Sequence, residues 1–198
     1  MKDLTRVNLS LHIFPVNNKP MQRFALFFSF AVFLLSGKLS LAQENASDNR
    51  GYIVQIGDPV PAFSLEDTQG NKFTRESLLG TTYILQFTAS WCGVCRKEMP
   101  HLEKEVWQPF RDQNFILLGV DLDEPLEKVV HFAQKTGITY PIAPDPNGAL
   151  FYSIAAAKSG VTRNVVVTDQ GEIAFLTRLF DEDEFADMID LVESLLRK

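Results

Sequence analysis

Apolar and polar positions change rhythm several times along this 198-residue chain, and each change predicts an element. Residues 51–80, GYIVQIGDPVPAFSLEDTQGNKFTRESLLG, hold short apolar pieces cut by Gly, Pro and Asp, with Gln69-Gly70-Asn71 as a turn between two short strands. TTYILQFTAS at 81–90 is almost continuously apolar and rich in β-formers, the mark of a central strand buried on both faces. From Cys95 the period lengthens: Met99, Leu102, Val106 and Phe110 share one helical face, with Arg96, Lys97, Glu103 and Lys104 on the others. Pro100 falls inside that helix and predicts a kink, because its ring removes a donor and crowds the preceding turn.

NFILLGVDLD reads as a second buried strand, Glu124 to Gly137 as a helix, ITYPIAPDPNG as a short extended piece and ALFYSIAAA as a short helix. VTRNVVVTDQGEIAFLTRLF is a hairpin turning at Asp169-Gln170-Gly171. Phe185, Met188, Ile189, Val192, Leu195 and Leu196 form the apolar face of a last helix, with Asp181 and Glu184 placed as a capping box. The acids from Asp181 to Glu184 therefore suit a helix N-terminus as well as a binding patch. The order β-β-β-α-β-α-(β)-α-β-β-α predicts an α/β domain: a central mixed β-sheet flanked by helices on both faces, preceded by an N-terminal β-hairpin.

The N-terminal part follows another rule. In MQRFALFFSFAVFLLSGKLSLAQ, Arg23 precedes the apolar run from Phe24 to Leu35, and smaller residues follow at Leu39-Ser40-Leu41-Ala42. That order is a secretory signal, with translation expected to start at Met21 and cleavage near Ala42. The run is well short of the roughly 20 apolar residues a spanning helix needs. An uncleaved membrane anchor is the alternative. The expected organisation is a presequence over 1–42, a flexible leader over 43–52 and one domain over 53–198, exported and periplasmic.

A net charge of -6 offers no basic surface of the kind nucleic acid needs. An exported chain whose 2 cysteines are Cys92 and Cys95 cannot be a disulfide scaffold, so the C-x-x-C pair itself carries the interest. Cys92 stands where a buried strand gives way to a helix, and a thiolate there meets unpaired N–H groups and the positive end of the dipole. Such a setting lowers a thiol pKa from about 8.5 to between about 3.5 and 7.5. Cys92 is thus the expected nucleophile and Cys95 the resolving thiol of a reversible dithiol exchange. Glu98, one turn beyond Cys95, is either a base for the Cys95 proton or a solvated surface acid.

Zinc would need further ligands, and His12, His101 and His131 with no second C-x-x-C do not compose a site, so no metal or other cofactor is expected. A thiol peroxidase would need one activated cysteine supported by a Thr and an Arg, and Thr88 is close in sequence. A redox-sensing binding module would need only the disulfide.

QIGDPVPAFSLEDTQGNKFTRESLLG, ILQFTASWCGVCRKEMPHL and VVVTDQGEI resemble a TlpA/ResA-like thiol:disulfide oxidoreductase over residues 53–196. FTASWCGVCRKEMP is similar to the signature F-W-A-S-W-C-x-P-C-x-x-E-x-P of that family. The resemblance implies a thioredoxin-like fold, an exposed Cys92, a resolving Cys95, a link between Glu98 and the thiols, and Trp91 beside the nucleophile. It also implies protein disulfide or dithiol substrates, as in cytochrome c maturation, and a membrane-embedded electron donor.

Three positions depart from that pattern. Gln86 stands where thioredoxins carry a buried, titratable Asp. Val94 replaces the proline between the cysteines, a dipeptide that helps set poise within a range of about -270 to -120 mV for this fold. Thr162 stands at the fold's cis-proline, opposite the cysteines, where a cis bond would cost about 2.5 to 4 kcal/mol. Trp91, Thr162 and Arg163 are the candidate substrate-binding residues. Arg163, beside Thr162, is either a charge near the thiolate or a surface residue flanking the hairpin.

Overall fold

The computed structural model describes residues 50–197. The secretory signal and most of the leader expected from the sequence lie outside the described residues. Arg50, Gly51 and Tyr52, which the sequence assigns to the leader, are part of the folded domain: the Gly51 carbonyl accepts from Ala156 N–H at 2.9 Å, and Tyr52 bridges to Ala155.

A short hairpin opens the domain, β1 (Ser64–Glu66) against β2 (Lys72–Thr74). Its turn is held by Asp67, whose Oδ1 accepts from the N–H groups of Gln69 and Asn71 at 2.8 and 2.9 Å. The main sheet contains β3 (Thr82–Thr88), β4 (Phe115–Leu122), β5 (Ile142–Asp145), β6 (Arg163–Val167) and β7 (Ile173–Leu176), in the spatial order β5-β4-β3-β6-β7. β3 runs parallel to β4 and antiparallel to β6, so the sheet is mixed. Every residue of β3 and β6 is buried, the polar Gln86, Arg163 and Asn164 included.

Strand alternation divides the core into two layers. Ile84, Leu117 and Val166 pack with the helix after the cysteines and with the last helix, through Met99, Leu102, Phe185 and Met188. Tyr83, Leu85, Phe87 and Val165 face the other layer, which holds Phe63 and Leu65 of the hairpin region, Phe151 and Ile154, and both cysteines. Helices therefore lie on both faces, unevenly: one face carries three, the other a short helix and the hairpin.

Local chemistry sets the helix bounds. The helix after the cysteines is α-helical over Gly93–His101 (α1), opens into a π-helical stretch over Leu102–Trp107 and ends with Gln108–Phe110. The disturbance predicted at Pro100 takes this form: the helix passes through the proline, which has no N–H to donate, and the hydrogen bonds then shift register. Gln108 N–H, for example, reaches Glu103 O. The next helix, α2 (Leu126–Thr136), begins two residues after the Glu124 read from sequence. Pro125 is its extended N-cap, and Gly137 at φ 73° ends it in the left-handed conformation that glycine adopts without strain. α3 (Phe151–Ile154) is one turn. In α4 (Glu182–Leu196) Asp181 Oδ1 accepts from Glu184 N–H at 3.0 Å, but the Glu184 carboxylate turns to Arg178 N–H and Arg50, so half of the capping box forms.

Candidate active site

The chain leaves β3 at Thr88 and turns through Ala89–Trp91 into Cys92, the N-cap of α1. Cys92 and Cys95 are joined by a disulfide, with Cα atoms 5.3 Å apart. Cys92 Sγ accepts from Cys95 N–H at 3.1 Å, so the sulfur occupies the place a capping oxygen would take, among the unpaired donors of the first turn. Cys95 is fully buried and Cys92 is 7 % exposed. The exposed Cys92 implied by family resemblance is here a sulfur at the bottom of the rim, still the more accessible of the pair. Trp91, next to it, is 61 % exposed.

Thr162 stands over the disulfide. Its Oγ1 lies 3.2 Å from Cys92 Sγ and 3.2 Å from Cys95 Sγ, so one hydroxyl touches both sulfurs. The carbonyl of Thr162 accepts from Leu179 N–H at 3.1 Å, which fastens this loop to the segment leading into α4.

Glu98 is not a surface acid. It is 1 % exposed, lies one turn beyond Cys95 on the buried side of α1, and its Oε1 accepts from Asn164 Nδ2 at 2.7 Å. Burial pushes its carboxyl up to about 8, the Glu184 charge adds to the rise, and the Asn164 bond opposes it. Asn164 Nδ2 also donates to Thr177 Oγ1 at 3.0 Å, and Asn164 pairs in register with Gln86 of β3. Tyr140 OH reaches Gln86 Oε1 at 3.4 Å. The non-titrating Gln86 thus belongs to a buried polar layer whose proton-carrying member is Glu98.

Arg163 is fully buried and does not flank the surface. Its guanidinium lies over the Tyr52 ring, 4.3 Å from the centroid, and Nη2 donates to the carbonyls of Arg50 and Ser159 at 2.9 and 3.1 Å.

Of the sequence candidates, then, Cys92, Cys95 and Thr162 are in mutual contact, Glu98 is buried beneath them on α1, Trp91 stands on the rim, and Arg163 joins the N-terminal segment. Sequence reading passed over Asn164 and a second acid, Asp121. Both are polar residues inside otherwise apolar strands, a departure from pattern that could have marked them. Asp121 is fully buried, and burial followed by the neighbouring Glu124 charge raises its carboxyl to about 8. Glu124 is held low despite its burial by bonds from Lys128 and Ser90. It accepts from Ser90 N–H at 2.6 Å and from Ser90 Oγ at 2.8 Å, fixing the loop that presents Cys92. Among the described residues no group of three or more His, Cys, Asp or Glu side chains is arranged to hold a metal ion.

A mixed sheet with a C-x-x-C disulfide at the strand-to-helix turn defines a thioredoxin-fold redox protein. Residues 56–175 match the AhpC/TSA family, and the chain belongs to that family. Among curated relatives, thiol-disulfide oxidoreductase ResA of Bacillus thuringiensis is 32% identical over 92 residues, 46% of this chain and 53% of that protein. ResA of Geobacillus kaustophilus is 33% identical over 92 residues, covering 46% and 52%. The chain thus spans about half the length of these relatives. A solution structure of a candidate protein disulfide isomerase from Bacteroides thetaiotaomicron is 48% identical, covers 75% of this chain and 94% of that one, and superposes with a TM-score of 0.72. A candidate thiol:disulfide interchange protein DsbE from Chlorobium tepidum, at 23% identity and TM-score 0.60, covers 72% of this chain and 99% of its own, and shares the fold.

Proposed function

We propose that this protein is an exported thiol:disulfide oxidoreductase that reduces disulfides in other proteins. The observation that carries the reading is the Cys92–Cys95 disulfide at the N-terminus of α1, with Thr162 Oγ1 against both sulfurs. In the reduced protein the Cys92 thiolate attacks a sulfur of the partner disulfide. That bond breaks, a mixed disulfide forms, and the departing partner thiolate takes a proton from water. Cys95 then yields its proton to the Glu98 carboxylate and attacks Cys92 Sγ, re-forming the internal disulfide and releasing the second partner sulfur as a thiolate, which also takes a proton from water. The partner gains two electrons from the cysteine pair and two protons from water, and the one proton that Cys95 carried rests on Glu98.

Residues three apart on a helix have Cβ atoms roughly 5–6 Å apart, which places Glu98 within reach of Cys95. A carboxyl raised to about 8 lies close enough to neutral pH to take up and release a proton there. Trp91 and the Thr162 loop receive the partner. A membrane-embedded donor restores the dithiol, and the setting is extracytoplasmic, of the cytochrome c maturation type or more general. The presequence pattern supports export.

The peroxidase alternative loses support from two contacts. Thr88 Oγ1 bonds to Met99 Sδ at 3.5 Å, and Arg163 is engaged by Tyr52 and backbone carbonyls. A redox-sensing module would not turn over. Cys95→Ser is expected to accumulate a mixed disulfide on Cys92 with a disulfide substrate such as insulin, whereas Cys92→Ser forms none. Absence of a trapped species on non-reducing gels, with no insulin reduction by the unmodified protein, would refute exchange.

A further inference from the structure

Two cavities flank the exposed side of α1, and Arg96, the residue after Cys95, lines both. One, of about 730 Å³, runs from Val94 past Lys97 and His101 to a far wall of Leu179 and Phe180. The other, of about 190 Å³, lies between Ser90 and α2 and is lined by Lys128, His131 and Lys135 over Phe132. The chain as a whole is acidic, with net charge -6, yet Glu182 is the one carboxylate lining these two cavities. Lys128 pairs with the buried Glu124. Arg96 spends one N–H on Ser90 O at 2.7 Å, a neutral acceptor that fixes its guanidinium across the cysteine loop. Among the described residues Arg96, Lys97 and Lys135 have no ion-pair partner.

The rim therefore sets an excess of positive charge, with Glu182 as the one acid lining it, beside apolar surface. Trp91 is 61 % and Leu179 46 % exposed. Leu179 takes a left-handed φ of 67° while its N–H holds Thr162 O, so this apolar side chain stands on the segment tied to the residue that touches both sulfurs.

We propose that the protein substrate presents an acidic polypeptide segment next to its reacting disulfide, and that the Arg96, Lys97 and Lys135 band receives it while Trp91 and Leu179 contact its apolar residues. Charge complementarity selects this occupant, since a basic segment would meet like charge at the rim from both sides of α1. The inference rests on the exchange reading above and adds to it the class of partner.

The test uses the full-length reduced protein and three disulfide peptides of equal length whose flanking residues are acidic, neutral or basic. At about 10 mM ionic strength, where charges are felt over about 30 Å, the second-order rate constant for single-turnover reduction of the acidic peptide should exceed that for the basic one about tenfold. Near 1 M salt, where the range is about 3 Å, the ratio should approach one. Lys97→Glu combined with Lys135→Glu should bring the low-salt ratio to one or below. Equal rates at low salt, a ratio unmoved by the double reversal, or a preference that survives high salt would each overturn the docking proposal. Turnover of the neutral peptide separates the two readings. Neutral-peptide turnover without charge preference removes the docking surface and leaves exchange standing, and absence of turnover on all three peptides removes both.

Discussion

Arg163 and Asn164 are consecutive, fully buried residues of β6, and the two faces of the sheet accommodate their polar groups in opposite ways. On the α1 face Asn164 meets Glu98, an acid that escapes the cost of burial by keeping its proton, with its carboxyl at about 8. On the other face Arg163 has no such escape, because a guanidinium does not deprotonate in proteins. Its charge is met by two backbone carbonyls and the Tyr52 ring. A proton that can be given up suits a site where thiols must lose and regain protons. A permanent charge spread over carbonyls and a ring suits a clasp, and this one ties the N-terminal segment to the strand that follows Thr162.

The largest effect expected from breaking this contrast is on stability. Arg163→Ala should cost about 3–5 kcal/mol, since it empties a large buried volume and removes the Nη2 bonds to the carbonyls of Arg50 and Ser159. Arg163→Met, which keeps most of the volume, should cost clearly less, and denaturant unfolding of both variants measures how much of the clasp is charge. Equal losses would assign the effect to the charge and its hydrogen bonds, since Met restores the volume but neither of these.

Glu98→Gln comes next. It keeps the shape and should slow resolution by about 10²-fold near pH 7, seen as build-up of mixed disulfide in rapid quench. The same variant tests the proton. An acid whose folded pKa of about 8 lies above its unfolded value of about 4.3 binds its proton more tightly in the folded state. Its contribution to stability is thus fully present below about pH 4.3 and is lost as pH rises through about 8. Glu98→Gln should flatten that decline, leaving the part due to Asp121, which has the same sign. A decline unchanged in Glu98→Gln would mean that Glu98 is not the protonated member of the layer.

The smallest expected effect is that of Tyr52→Leu, about 1–2 kcal/mol, from loss of the ring under Arg163 and of the hydroxyl bond to the Thr177 carbonyl. Exchange rates on a small disulfide should change little. A rate loss matching that of Glu98→Gln would show that the clasp acts on the thiols rather than on the fold.

Much of this molecule was legible along the chain. The nearly continuous apolar runs at 82–88 and 115–122 specified buried strands, and the strand-to-helix change at Cys92 placed a sulfur at a helix N-terminus. The wheel positions of Cys95, Met99 and Leu102 even indicate the buried stripe that Glu98 shares. What the pattern left open was whether an acid in that stripe would stay inside, because a polar residue at an apolar position is decided by its partners. The partner, Asn164, is 66 residues away. Glu124 likewise read as the start of α2 because it is a good helix former, but Ser90 and Lys128 draw it out as a tether for the cysteine loop.

The sequence alone therefore determined which elements form, their order and the position of the reactive pair, since these depend on periodicity and on neighbours a few residues apart. The tertiary structure alone decided that Thr162 touches both sulfurs, that Glu98 is buried against Asn164 and that Arg163 clasps Tyr52. Strand alternation sends neighbouring side chains to opposite faces, but what waits on each face is supplied by segments far away in the chain.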